Sequence, residues 1–186
     1  MHVFYAPDIA TSPVLPEEES HPAVRVLRLD VGATIQIVDG KGGVYVATIA
    51  VADSKKCLVN SLQVQNAASQ RDYYLHIAIA PTKNMDRLEW FFEKAAEIGI
   101  DEISPIYCRY SERKNLKTDR LQRILVSAMK QSIQPTLTVL NEPVPFKEWI
   151  KNVFDFKHNL WSYIIVVLFA IIFILPQCLI SGYEKG

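Results

Sequence analysis

Between Gly99 and Gly182 the chain has no glycine at all, in a protein that contains seven. Glycine lets a backbone pass closely against a ligand, so that stretch holds no candidate for a glycine-rich cradle. Cysteine is also sparse. Cys57, Cys108 and Cys178 share no short spacing, which gives no metal or redox motif and no expected metal site. Their odd number and wide separation fit a reducing compartment. Neither sign of charge dominates: 20 basic residues balance 20 acidic ones. The segment from Lys151 onward carries three lysines against Asp155 and Glu184, leaving 17 basic and 18 acidic residues before it. That balance argues against a protein that coats nucleic acid indiscriminately, and leaves room for a local basic patch. The opening MHVFYAPDIA has no basic segment leading into an apolar one, so no secretory signal is expected there.

What is present divides the 186 residues into parts of different character, enough for one or two small domains with a real core. Residues 1–68 read as short strands and turns. In HPAVRVLRLDVG the positions of Val24, Val26 and Leu29 do not separate a short helix from a strand. Thr34 to Val38 alternates and is β-branched, as a strand should be. Asp39-Gly40-Lys41-Gly42-Gly43 follows, a hairpin signal, then a returning strand over Val44 to Val51 and another over Cys57 to Val64. Several strands with tight turns suggest a small β-barrel. Asn66 to Asp72 is polar and reads as a linker. Tyr74 to Ala80 is a continuous apolar run suited to a buried parallel strand, ended by Pro81. Leu88, Phe91, Phe92, Ala95, Ala96 and Ile98 keep a helical rhythm, with Asp86 as N-cap ahead of Glu89, and Gly99 as C-cap. Ile103 to Tyr107 predicts a second strand despite Pro105, and Thr118 to Ser132 a second amphipathic helix. Strand, helix, strand, helix implies an α/β domain with parallel strands.

The residues carry a resemblance over positions 1 to 149. MHVFY, HPAVRVLRLDVG, VDGKGG, EKAAEIGIDEISPI, CRYSERK and the SAMKQS segment occur in order and at family-like separations. Together they resemble the RsmE family, methyltransferases that modify N3 of a uridine in small-subunit ribosomal RNA. The resemblance implies a PUA-like β-barrel that helps hold the RNA, over residues 1–68, and the end of a linker at 69–72. A SPOUT-type α/β domain then begins at 73–150. In that family a C-terminal trefoil knot binds S-adenosylmethionine and forms the dimer. Its Gly-Pro-Glu-Gly-Gly loop and its later Leu-Gly…Arg…Glu-Thr segment are absent from this sequence. Residues 151–186 are therefore expected to be a divergent apolar tail in place of the knot. No cofactor-binding residue is assigned, and the catalytic residues are unknown.

The candidate site residues are basic. Arg109, Arg113, Lys114, Lys117, Arg120, Arg123 and Lys130 lie within 22 positions, opposed there only by Glu112 and Asp119. Such a cluster can contact phosphates, or can be the solvated face of a helix. The resemblance favours RNA contact by some of them, with Lys117 and Arg120 equally readable as helix surface. Arg25, Arg28 and Lys41 form a second patch, open between phosphate or base contact and a solubilising surface. Gly40, Gly42 and Gly43 read as hairpin geometry rather than a phosphate cradle, because no helix starts after them. Lys83 and Arg87 follow the first α/β strand, at the edge where open sheets of this kind bind ligands. His21 and His76 have no recognisable nucleophile partner, and His76 reads as a satisfied core histidine.

Leu160 to Ile180 is an uncharged run of 21 residues, long enough for a membrane-spanning helix. Three readings are open: an anchor with the body on the cytoplasmic side, a buried core helix, or a shifted reading frame that replaced the knot. The third is preferred, since the similarity stops between Trp149 and Lys157 and a soluble RNA enzyme needs no anchor. The expectation is thus a mixed α+β fold ending in an apolar helix. By family it is a cytoplasmic S-adenosylmethionine-dependent methyltransferase acting on small-subunit rRNA, whose present chain lacks the cofactor site. The alternative is a non-catalytic RNA-binding module, tethered to a membrane through Leu160 to Ile180.

Overall fold

The structure, a computed structural model, describes residues 1–67, 72–109, 111, 115–155 and 163–165, with backbone alone at 66–67, 152–155 and 163–165. The chain divides into two compact units. One comprises Met1–Gln70 with Glu93–Gly99 and Arg123–Leu137; the other comprises Arg71–Phe92, Ile100–Gln122 and Thr138–Gly186.

The first unit is built on a four-stranded sheet in the order β1 (Val3–Tyr5), β2 (Thr34–Val38), β3 (Gly43–Val51), β4 (Leu58–Ala67). β1 runs parallel to β2, and the other pairs are antiparallel. The ambiguous stretch HPAVRVLRLDVG opens as a π-type turn at Pro22–Val26, directly after helix α1 (Glu17–His21). Pro22 suits the first position of that turn, where its missing N–H leaves no bond unmade. Phe4, Ile9, Leu15, Ile35, Ile37, Ile49 and Val59 make one core. Val38 and Val44 pack instead with Met129, beside Val3, Tyr5 and Leu137. β2 is therefore covered on both faces, and the second cover comes from the 123–137 segment.

The Asp39 to Gly43 turn is fixed by its own side chain. Asp39 is buried, and its Oδ1 accepts from the backbone N–H of Lys41 at 2.7 Å and of Gly43 at 2.8 Å. The Tyr45 hydroxyl donates to Oδ2 at 3.0 Å. A Cβ at Gly43 would collide with Asp39 and Tyr45, and Gly40 and Gly42 have φ of 71° and 111°. The glycines thus serve the hairpin. The expected linker starts too early, however. Asn66 and Ala67 belong to β4, in register with Val44 and Gly43, because ladder hydrogen bonds override the polar composition of that stretch.

The second unit is a parallel sheet ordered β7 (Val139–Leu140), β6 (Glu102–Tyr107), β5 (Tyr74–Ile79), β9 (Tyr163–Ile165), with β8 (Val144–Pro145) also paired to β6. α2 (Met85–Ile98), α3 (Thr118–Ser132) and α4 (Phe146–Asp155) complete the described elements. α2 begins one residue earlier than its expected cap. Asn84 Oδ1 accepts from the Asp86 N–H at 2.9 Å, so Asn84 does the capping assigned to Asp86. Gly99 ends the helix at φ 85°, its N–H donating to Ala95 and Ala96 carbonyls.

The apolar C-terminal helix is corrected where it can be seen. Tyr163–Ile165 form strand β9, parallel to β5 in register with Tyr74 to His76. An apolar segment rich in β-branched residues suits a parallel strand, and pairing supplies the backbone bonds that a helix would otherwise provide. The rest of Leu160 to Ile180 lies outside the described residues. Among the described residues no helix is long and apolar enough to cross a membrane.

Candidate nucleic-acid interface

Parallel pairing brings the ends of β5, β6 and β8 to one edge of the sheet. Lys83 and Arg87 follow β5, the second of them in the first turn of α2, and Arg109 follows β6. All three are exposed. Three cations from two separate segments therefore share the carboxyl-terminal edge of a parallel sheet, the edge where ligands of such sheets bind. Arg113 and Lys114 lie outside the described residues.

Two members of the basic cluster pair with carboxylates from other helices. Arg120 makes a two-pronged bond with Glu89, Nε to Oε1 at 2.7 Å and Nη2 to Oε2 at 2.8 Å. Lys130 meets the largely buried Glu19 at 2.7 Å. Beyond Glu112 and Asp119 within the stretch itself, α1 and α2 bring the Glu19 and Glu89 carboxylates to it from elsewhere in the sequence. Lys117 is exposed just before α3, and Arg123 is exposed on it.

In the first unit Arg25 and Arg28 are exposed in and after the π-type turn, and Arg28 holds a left-handed φ of 54°. That conformation is costly for a residue with a Cβ and persists only where the surroundings fix it. Here the Leu27 N–H donates to Pro22 and the Leu29 N–H to Ala23. Lys41 is tied to the chain's start: its Nζ donates to the Pro7 carbonyl at 2.7 Å and to Asp8 Oδ1 at 3.2 Å. Two of its three ammonium protons are already used.

His76 has partners that its sequence neighbourhood did not show. Its Nε2 is 2.8 Å from Ser104 Oγ and 3.5 Å from Glu102 Oε1. Asn141 Nδ2 donates to both Glu102 Oε1 and Ser104 Oγ, and the Tyr74 hydroxyl donates to Glu102 Oε2 at 2.7 Å. Trp149 of α4 meets the imidazole edge-on, with centroids 6.0 Å apart. Serine, histidine and carboxylate together suggest a nucleophile triad, but the geometry excludes it: hydroxyl and carboxylate meet the same ring nitrogen, so the carboxylate cannot orient the far side of the ring. Ser104 is also buried. Burial holds the imidazole below its ordinary 6.5, opposed by the Glu102 carboxylate. His76 is a satisfied core residue, as expected, and His21 is exposed at the end of α1. Among the described residues no group of three His, Cys, Asp or Glu is placed to hold a metal ion.

Trp90 was missed. It is 62% exposed on α2, one turn beyond Arg87. The signal was available, since Trp90 falls off the apolar stripe that defines the buried face of that helix.

A family model described as an RNA methyltransferase PUA domain matches residues 15–60. One described as an RNA methyltransferase domain matches residues 69–165, past the stretch between Trp149 and Lys157 where the resemblance was expected to stop, and through β9. The ribosomal RNA small subunit methyltransferase E of Rickettsia conorii is 26% identical over 147 residues, covering 77% of this chain and 56% of the relative. A probable rRNA-methyltransferase structure from Porphyromonas gingivalis is 40% identical, with a TM-score of 0.69 over 81% of this chain and 63% of that one. The Neisseria gonorrhoeae ribosomal RNA small subunit methyltransferase E, bound to S-adenosyl methionine, is 22% identical and shares the fold with a TM-score of 0.68, over 81% of this chain and 64% of that one. The chain thus spans about three-fifths of the length of these relatives. A PUA domain followed by an RNA methyltransferase domain, with curated relatives and a shared fold of one kind, places the chain in the RsmE family of ribosomal RNA small-subunit methyltransferases.

Proposed function

We propose that this chain is the RNA-holding portion of a small-subunit rRNA methyltransferase of uridine-N3 type, working in the cytoplasm, and that alone it does not retain S-adenosylmethionine. The observation that carries the reading is the gathering of Lys83, Arg87 and Arg109 at one sheet edge. Phosphate contacts there would fix the register of the RNA without reading its sequence; Arg25, Arg28, Lys41, Arg113, Lys114 and Arg123 are separate candidates for RNA contact. In a whole enzyme, methylation at uracil N3 rests on holding the base in line with the methyl donor and stabilising the charge left as its proton departs. This chain contributes the positioning.

The residues at that edge do not fit the donor. The described glycines are Gly32, Gly40, Gly42, Gly43 and Gly99, none of them where β5, β6 and β8 end. Gly99 is committed to capping α2, and a Cβ there would press on Gln134. Among the described residues at this edge, none is a glycine suited to a backbone that must approach a cofactor closely.

Two titrations of the full chain test the reading. A small-subunit rRNA fragment should bind at low salt, while isothermal titration with S-adenosylmethionine should give no saturable heat. A one-to-one donor complex of micromolar affinity overturns the second half, and failure to bind rRNA at about 50 mM salt overturns the first.

A further inference from the structure

The exposed indole of Trp90 is left unexplained by either core. Leu88, Phe92, Ala95 and Ala96 turn the buried side of α2 inward, whereas Trp90 is 62% exposed. Covering so large an apolar ring with a flat partner would be favourable. Its neighbours on the helix surface, three and four positions away, are Asp86, Arg87, Glu93 and Lys94, every one of them charged. Lys94 is occupied by Glu93 and Glu97, at 2.9 Å from each. An apolar protein partner would leave those charges buried beside the ring, at considerable cost. A nucleotide would not. It offers a flat base for the indole and a phosphate for the exposed Arg87, one turn away and about 4.5 Å along the axis. Arg87 lies in turn at the sheet edge that carries Lys83 and Arg109.

We propose that Trp90 is a stacking platform for one unpaired base of the RNA, with Arg87 on the adjoining phosphate. This rests on the RNA-holding reading above and adds to it a preference for single-stranded over duplex RNA. Duplex bases are already stacked and offer no face to the indole.

The test uses the full chain, a uridine-containing oligoribonucleotide of about a dozen nucleotides, and a blunt RNA duplex with a similar number of phosphates. Affinities are read by fluorescence anisotropy over a range of salt. Trp90→Ala should weaken single-strand binding roughly five- to a hundredfold, leave its salt slope unchanged, and leave duplex binding unaltered. Trp90→Phe should restore most of the loss. Because the side chain is exposed, thermal unfolding of both variants should match that of the parent.

Three outcomes overturn the proposal while leaving RNA binding intact. They are an unchanged single-strand affinity in Trp90→Ala when Arg87→Ala weakens it, an equal loss on duplex and single strand, or a change of oligomeric state in sedimentation that assigns the ring to a second copy of the chain. A parent chain that binds neither RNA overturns this proposal together with the reading beneath it.

Discussion

The Asp39 hairpin of the first unit and the parallel sheet of the second satisfy their polar groups over very different sequence distances, although elsewhere in the first unit Ser20 meets Cys57 across 37 positions and Glu19 meets Lys130 across 111. In the hairpin, Asp39 accepts bonds from residues two, four and six positions away. In the parallel sheet, His76 meets Ser104 across 28 positions, and Asn141 meets Ser104 across 37. The Leu75 N–H reaches Asp101 across 26. The contrast follows from topology. An antiparallel hairpin closes on itself, whereas parallel neighbours must be separated by a crossover, so their polar contacts are non-local by construction.

Met129 is where the local hairpin depends on a distant segment. The hairpin is locally determined, yet its second face is covered by a side chain from α3 that is 1% exposed. Met129→Ala should cost about 2–5 kcal/mol in urea unfolding. A cost well under 1 kcal/mol would mean that the first sheet holds itself together from residues 1–68 alone.

A smaller effect belongs to the second unit. Since the folded His76 titrates below 6.5, the unfolded chain takes up the proton first as pH falls. The contribution is fully present above about 6.5 and is lost as pH drops from there through the folded value, with a slope of at most about 1.4 kcal/mol per pH unit. Urea midpoints at several pH values should show this slope in the parent chain and lose it in His76→Gln. An identical slope in the variant would assign the acid sensitivity to other groups.

Legibility in the sequence followed the same line. Thr34 to Val38 and Thr118 to Ser132 could be read to the residue, because alternation and helical rhythm are local signals. The Asp39 turn and the Gly99 cap were legible for the same reason. What was not legible depends on distant partners. Asn66 and Ala67, in a polar stretch, become strand because β3 lies beside them. Tyr163–Ile165 become strand because β5 offers a ladder, although the composition of the run reads as helix. Among the site residues, Lys83 and Arg87 could be placed at a sheet edge from their position after an apolar run. That Arg109 joins them, while Arg120 and Lys130 are drawn to Glu89 and Glu19, needed the pairing of β5 with β6 and the packing of the helices.

If the cations at the parallel-sheet edge hold RNA through its phosphates, as proposed, the salt dependence of binding must show it. The slope of log affinity against log salt for a small-subunit rRNA fragment should be compared between the parent and a Lys83→Ala, Arg87→Ala, Arg109→Ala triple variant. Three lost phosphate contacts should flatten the slope by about 2, together with a fall in affinity. A slope unchanged by the triple variant would contradict the claim, since it would leave those side chains facing solvent with no phosphate beside them.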